Sequence, residues 1–226
     1  MSGRLLGVLG GMGVQATTHF CNMITDLQNV EVEQEYLDML VYSKPSIPNR
    51  TAYILGQSDT NPLHPILQAA HTLEKAGASH IAMPCVTAHF FYKDLAAAIN
   101  IPFLNMLDET ARFVASRNHK KIGLLATSGT LQGKFFHHGF DAVGISVVQP
   151  CDEEQKALMD IIYDLKSGKA TLPGVLEGIA SNLHKNGAEA IVLGCTELSL
   201  LSKGHGDYID TMMVLAKAAL AACKAK

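Results

Sequence analysis

Charge is scarce in this sequence. Only 17% of its 226 residues are Asp, Glu, Lys or Arg, and the balance is −3 without a long run of either sign. Such a chain has no electrostatic footprint for nucleic acid or an anionic membrane surface, and neither is expected as a partner. No stretch approaches the ~18 consecutive apolar residues of a membrane-spanning helix. After Met-Ser-Gly-Arg, the apolar run Leu5–Leu9 is far too short for a signal-peptide core and reads as a buried first strand. Cysteines are few and odd in number: Cys21, Cys85, Cys151, Cys195 and Cys223 lack patterned spacing. That speaks against a disulfide framework and for reduced thiols in the cytoplasm. No zinc-ribbon spacing occurs, and no metal is expected. No Gly-x-x-x-x-Gly-Lys-Ser/Thr loop occurs either, which excludes a P-loop nucleotidase.

What is present is ordinary globular material, 48% hydrophobic, long enough for two domains of about 100 residues. Short apolar runs ending in Gly, Pro or polar turn residues alternate with longer amphipathic stretches. This is the pattern of an α/β fold built from βα units around mostly parallel sheets. Strands are expected at Leu5–Leu9, Tyr36–Val41, Ile81–Met83, Phe103–Leu104, Ile122–Leu125, Ser146–Val148, Ile191–Leu193 and Tyr208–Ile209. Helices are expected at Gln15–Leu27, Asn61–Ala76, Phe90–Ala98, Asp108–Arg117, Leu131–Val143, Glu153–Lys166, Leu172–Asn186 and Met212–Cys223.

One pattern occurs twice. Lys75, Gly77, Ala78, Ile81 and Cys85 match Lys185, Gly187, Ala188, Ile191 and Cys195 at one constant offset, 195 − 85 = 110. The run Leu6-Gly-Val-Leu9 likewise resembles Ile122-Gly-Leu-Leu125. Two similar βα domains related by a pseudo-two-fold are therefore expected. The first would comprise residues 1–104 plus 209–226, the last helix returning to it, and the second residues 105–208. Ligands of open α/β sheets bind beyond the carboxyl ends of strands, where Gly10–Gly13, Cys85 and Cys195 all fall. The site is expected in the cleft between the domains.

A thiol is a base only as thiolate, and free cysteine needs a helix N-terminus or a cation to reach that form. Cys85 precedes Val86-Thr87-Ala88-His89 and a helix; Cys195 precedes Thr196-Glu197 and another helical start. The other three cysteines read as small buried hydrophobes. The loop Gly10-Gly11-Met12-Gly13 is either a tight βα turn or an anion cradle. With Ala16, and with Glu35 or Asp38, it also meets a degenerate dinucleotide fingerprint. Arg50, on a stretch stiffened by Pro45 and Pro48, suits carboxylate recognition, though a solvated surface arginine is the default. Lys166 reads as a helix-end lysine satisfying carbonyls, and His137 and His138 as exposed. His89 either orients the Cys85 loop or caps it.

Together these residues resemble the aspartate/glutamate racemase family over nearly the whole chain. Leu9-Gly-Gly-Met-Gly13 with Ala16-Thr17 is similar to its first-strand loop, and Ile47-Pro-Asn-Arg-Thr51 to its substrate-binding segment. Pro84-Cys-Val-Thr-Ala-His89 and Gly194-Cys-Thr-Glu197 are similar to its two catalytic motifs. The resemblance implies a cofactor-independent racemase, aspartate favoured over glutamate, in which Cys85 and Cys195 transfer the α-proton on opposite faces of Cα. It implies that Arg50 binds a side-chain carboxylate with help from Lys166, that Met12, Thr87 and Thr196 line the pocket, and that Glu197 tunes or relays the Cys195 proton. Gly11 and His89 support the site, and relatives imply a homodimer. Two positions depart from the family pattern. Val86 stands where the family has an asparagine that holds the α-carboxylate, which would leave an apolar wall, and Val14 stands where proline is common. Isomerisation or decarboxylation of small diacids, or binding of an acidic metabolite without turnover, are the alternatives that Val86 keeps open.

Overall fold

The computed structural model describes residues 5–171, 174–202 and 208–224. In chain order the first half contains β1 (Leu6–Gly10), α1 (Val14–Asp26), β2 (Met39–Ser43), α2 (Arg50–Ile54), α3 (Leu63–Lys75), β3 (His80–Ala82) and α4 (Tyr92–Ala98). Its three strands form a parallel sheet in the order β2-β1-β3, and a lone parallel bridge from Ile81 to Phe103 extends it beyond β3. The second half contains α5 (Met106–Ser116), β4 (Lys121–Ala126), α6 (Ser128–Gln132), α7 (Phe135–Ala142), β5 (Ser146–Val148), α8 (Asp152–Lys166), α9 (Val175–Lys185), β6 (Ala190–Gly194), α10 (Ser199–Ser202), β7 (Tyr208–Asp210) and α11 (Thr211–Lys224). Its sheet is also parallel, in the order β5-β4-β6-β7. Counted within each half, both sheets follow one plan, with the first strand central and the second and third on either side. The protein is thus an α/β fold with two parallel sheets. Among the described residues no helix is long and apolar enough to cross a membrane.

The duplicated sequence is a duplicated helix stop. Gly77 and Gly187 adopt φ of +93° and +92°, a left-handed conformation that favours glycine. Ala78 N–H then donates to Leu73 O at 3.1 Å, and Ala188 N–H to Leu183 O at 3.0 Å. This reversal closes the last turns of α3 and α9 and sends the chain into β3 and β6. The side chains that follow fill matching cores. Ile66, Leu73, Ala78, Ile81 and Cys85 lie in one lateral cluster; Leu176, Leu183, Ala188, Ile191 and Cys195 lie in the other, each pair at the same offset (176 − 66 = 195 − 85 = 110). A third cluster joins the halves through Leu6, Val8, Phe20, Met106, Ile122, Phe136, Val192 and Met212. Each fully buried aliphatic side chain contributes about 1.5–3 kcal/mol, so both thiols sit in rigid surroundings.

Several expectations are corrected. The second strand begins at Met39, not Tyr36: Glu33–Glu35 form a 3-10 turn, and Leu37 N–H donates to the Gln28 side chain, so the extended run starts later. Phe103–Leu104 amount to one bridge. The helix expected over Leu131–Val143 is two helices, because Thr127 caps an earlier start at Ser128 and Lys134 breaks the run with φ +51°. The helix expected from Phe90 opens as a 3-10 turn, Thr87–Phe91. The sequence reading missed α2, although its cap is visible in Asn49, whose side chain accepts Ala52 N–H. Leu172, the expected start of the helix observed as α9, lies outside the described residues.

β7 pairs with β6 across Tyr208–Asp210, so the expected boundary at 208/209 passes through a strand of the second sheet. α11 packs against α1 and β3 of the first half and against α5 of the second. Its start is tied to the Cys195 loop: Asp210 accepts the Ser199 hydroxyl at 2.7 Å and Met212 N–H at 2.8 Å.

Candidate active site

Cys195 follows β6 directly. Cys85 stands further beyond β3, after Met83 and Pro84, where its N–H turns back to Met83 O at 2.8 Å. Both are 4% exposed. The helix dipoles expected to activate them are short: a 3-10 turn follows Cys85, and the helix after Cys195 has only four residues. A side-chain cation lies near both instead. Lys166 does not satisfy carbonyls at the end of α8, as the sequence suggested. Its Nζ lies 3.3 Å from Glu197 Oε1, and the glutamate side chain is 3% exposed. Burial would pull the Lys166 ammonium down, but the Glu197 carboxylate first, and the two cysteines where they are ionised, hold it above the ordinary lysine range.

Glu197 also joins Cys195, whose Sγ donates to Oε2 at 3.1 Å; the Thr196 hydroxyl lies 3.5 Å from the same oxygen. The start of α1, which has no side-chain cap, faces the other oxygen: a Cβ on Gly13 would stand 2.8 Å from Glu197 Oε1. A carboxylate between an ammonium and a helix N-terminus is electrostatically favoured. Burial, reinforced by Glu197 and opposed by Lys166, pushes the Cys195 thiol well above its ordinary range, so its resting form is a protonated donor.

The loop after β1 is closed upon itself. Gly11 N–H donates to Thr17 Oγ1 at 2.9 Å, and that hydroxyl donates to Gly13 O at 2.7 Å. The amide expected to cradle an anion is thus engaged, and the dinucleotide reading loses its main support. Gly11 itself has φ +90°, and a Cβ there would lie 2.4 Å from Lys44 N.

Arg50 is anchored and half-buried. Nη1 donates to Ile47 O (3.1 Å) and Pro48 O (2.9 Å), Nη2 donates to Met12 O (3.3 Å), and buried Nε has no partner. The Nε–Nη2 edge keeps donor capacity for a side-on carboxylate.

Arg50 walls a cavity of about 190 Å³ together with Asn49, Thr51, Thr87, Thr127 and a stripe of α8, namely Met159, Ile162, Tyr163 and Lys166. Thr87, Thr127 and Thr130 form a buried ring of hydroxyls at 2.9, 3.2 and 3.0 Å, joining the two halves beside the cavity. Of the residues nominated from sequence, Arg50, Thr87 and Lys166 line this cavity. Met12, Cys85, Val86, Cys195, Thr196 and Glu197 are buried outside its lining. Val86 packs into the core joining the halves, so the expected apolar wall is not part of the cavity. The sequence reading missed Thr127 and Thr130. Their signal is the duplication, since Thr127 follows β4 as Gly11 follows β1. A larger hollow of about 780 Å³, lined by Phe90, Phe135 and Val143 among others, lacks Arg50, Thr87 and Lys166, and chemistry outweighs size. Among the described residues no group of three His, Cys, Asp or Glu side chains could hold a metal ion.

His89 clasps the Cys85 loop. Met106 N–H donates to Nε2 at 3.2 Å, which leaves Nδ1–H to donate to Cys85 O at 2.9 Å. Burial holds its pKa below the ordinary histidine range. The unfolded chain therefore binds a proton that the folded site refuses. His89's contribution to stability is complete above about pH 6.5 and is lost as pH falls below it. His89→Asn keeps a donor near Cys85 O but strands Met106 N–H, at an expected cost of about 1–3 kcal/mol. Urea midpoints should show a smaller stability loss between pH 7 and pH 5 in the variant than in the parent. His137 is half-buried rather than exposed, its Nε2 2.8 Å from Gln149 Nε2.

Two parallel sheets on one plan are the architecture that this chain shares with solved amino-acid racemases. Residues 9–222 match the family model described as Asp/Glu/Hydantoin racemase, and the chain belongs to this family of isomerases. It is 26% identical to the broad specificity amino-acid racemase RacX of Bacillus subtilis over 226 residues, covering 94% of this chain and 95% of that protein. The aspartate racemase of Picrophilus torridus superposes with a TM-score of 0.88 at 28% identity, covering 98% of this chain and 94% of that one. An aspartate racemase homologue from Pyrococcus horikoshii, 24% identical with a TM-score of 0.79, shares the fold over 98% of this chain and 100% of its own.

Proposed function

We propose that this chain racemises a small acidic amino acid, aspartate ahead of glutamate, without a cofactor, in the cleft between residues 1–104 with the last helix and the remainder of the chain. One cysteine, as thiolate, removes the α-proton. The electron pair left on Cα is delocalised into the α-carboxylate, and the opposite thiol returns a proton to the other face. The observation that carries this reading is the pair of buried thiols, Cys85 and Cys195, at matched positions beyond β3 and β6, with the Lys166 ammonium 3.3 Å from the carboxylate that Cys195 touches. A buried thiol-to-carboxylate bond at Cys195 supports a proton held ready for delivery.

Arg50, with its unpartnered Nε, would take the side-chain carboxylate, and the Thr87 hydroxyl the α-carboxylate. Lys166 and Glu197 would tune Cys195. Met12, Val86 and Thr196 would support the site from behind, with Gly11 shaping the loop and His89 fixing Cys85. The same reading carries a homodimer in the cytoplasm. An NMR screen of the common amino acids in heavy water tests the proposal: deuterium should enter the α-position of aspartate, with both enantiomers appearing. Absence of exchange with every amino acid would end it.

A further inference from the structure

We propose that the seam between α2 and α6, closed at Gly129, sets the length of the side chain that the cavity accepts. This rests on the acidic-amino-acid reading above and deepens it. α2 belongs to the first half and carries Arg50; α6 belongs to the second and carries Thr130. Gly129 is buried, and a Cβ there would stand 3.0 Å from Thr51 Cα and 3.3 Å from Thr51 Oγ1. The two short helices therefore meet almost backbone to backbone. Arg50 and Thr51 wall one side of the 190 Å³ cavity, and Thr127, the residue that caps α6, walls another. The approach of α2 to α6 is thus one dimension of the cavity.

Neither side of this gap can follow a ligand freely. The Arg50 guanidinium is tied to Ile47 O, Pro48 O and Met12 O. On the other side, Thr127 Oγ1 accepts Thr130 N–H at 3.2 Å, and both hydroxyls join Thr87. A fixed cation facing fixed hydroxyls measures the ligand between them. Alanine at 129 cannot be accommodated unless Thr51 gives by a few tenths of an ångström, and Arg50, its neighbour on α2, is expected to shift with it and widen the gap.

The test compares kcat/KM for aspartate and glutamate. A methylene in a fitted pocket is worth about 10–200-fold, so the parent should favour aspartate by at least about tenfold. Gly129→Ala should lower that ratio about tenfold, with the loss mainly in KM for aspartate. Gly178→Ala, in α9 with nothing within 4 Å of its added Cβ, controls for the glycine-to-alanine change in a helix and should leave the ratio unchanged. Thr130→Val, which loosens the same seam without adding bulk, should move the ratio in the same direction and carries the test if Gly129→Ala fails to accumulate. An unchanged ratio in the folded variants overturns the proposal while leaving racemisation intact. Thermal stabilisation by succinate against glutarate reads the gap without turnover. A shift toward glutarate in Gly129→Ala sustains the seam even if the parent exchanges no α-proton, and an unchanged preference overturns it.

Discussion

Cys195→Ala is expected to reduce racemisation by about 10²–10⁴-fold, and Cys85→Ala to do the same, because each removes one of two positioned proton-transfer groups. Both side chains are 4% exposed, and alanine differs from cysteine only by the sulfur, so the fold should survive. The two losses should differ in kind from simple inactivation. With one thiol left, the enantiomer whose α-proton faces it can still lose that proton and recover a deuteron on the same face. Each variant should therefore exchange deuterium into one enantiomer without inverting it, and the two variants should choose opposite enantiomers. Proton NMR with chiral analysis reads both quantities at once. Full racemisation by either single variant contradicts a two-base mechanism.

Lys166→Met should destabilise the protein by about 3 kcal/mol, the low end for breaking a buried ion pair, because the Lys166 side chain is 26% exposed. The cost lies in the carboxylate left behind, buried at Glu197 with the loss of its nearest cation. Adding Glu197→Gln should recover most of that stability, and urea denaturation of the double-mutant cycle checks it. Equal losses in the single and double variants would show that the two side chains are not coupled. Activity should respond differently. Lys166 is the charged group that draws the Cys195 thiol down, so without it burial and the Glu197 carboxylate are opposed only by the Glu197 backbone N–H. The pH at which Cys195 can serve as base then rises, and in the direction that uses it as base the acid limb of the rate profile should move upward in Lys166→Met.

The parts legible in the sequence are those encoded by local chemistry. Lys-x-Gly-Ala announces a helix stop and a strand start because only a residue free of a Cβ turns there easily, and the constant offset makes the second thiol the counterpart of the first. Arg50 was nominated by its stiff proline-flanked segment. What escaped depends on partners distant in sequence. Lys166 and Glu197 are far apart in the chain and meet only through packing of α8 over the cleft. Met159, Ile162 and Lys166 on α8 read as an amphipathic stripe, and nothing in that spacing distinguishes a cavity wall from an ordinary core. The break at Lys134 defeats periodicity, since a lysine with positive φ gives no local warning. The late start of β2 follows from Gln28 capturing Leu37 N–H, a tertiary contact that overrides β-propensity.

The duplication extends through much of the scaffold and stops short of the charges. At the offset that pairs the thiols, Glu197 corresponds to Thr87 and Thr196 to Val86 (197 − 87 = 196 − 86 = 110). Free L and D amino acids have equal free energies in water, so no enzyme can move their overall equilibrium away from one. The proposed complexes with the two hands are not mirror images, however, because among the described residues Cys195 has a carboxylate as its hydrogen-bond partner and Cys85 does not. Their free energies differ, and the population bound at saturation leans to one hand. The maximal rates in the two directions then differ in the same proportion as the concentrations needed to reach them, a lopsided pair of saturation curves from a chemically neutral exchange.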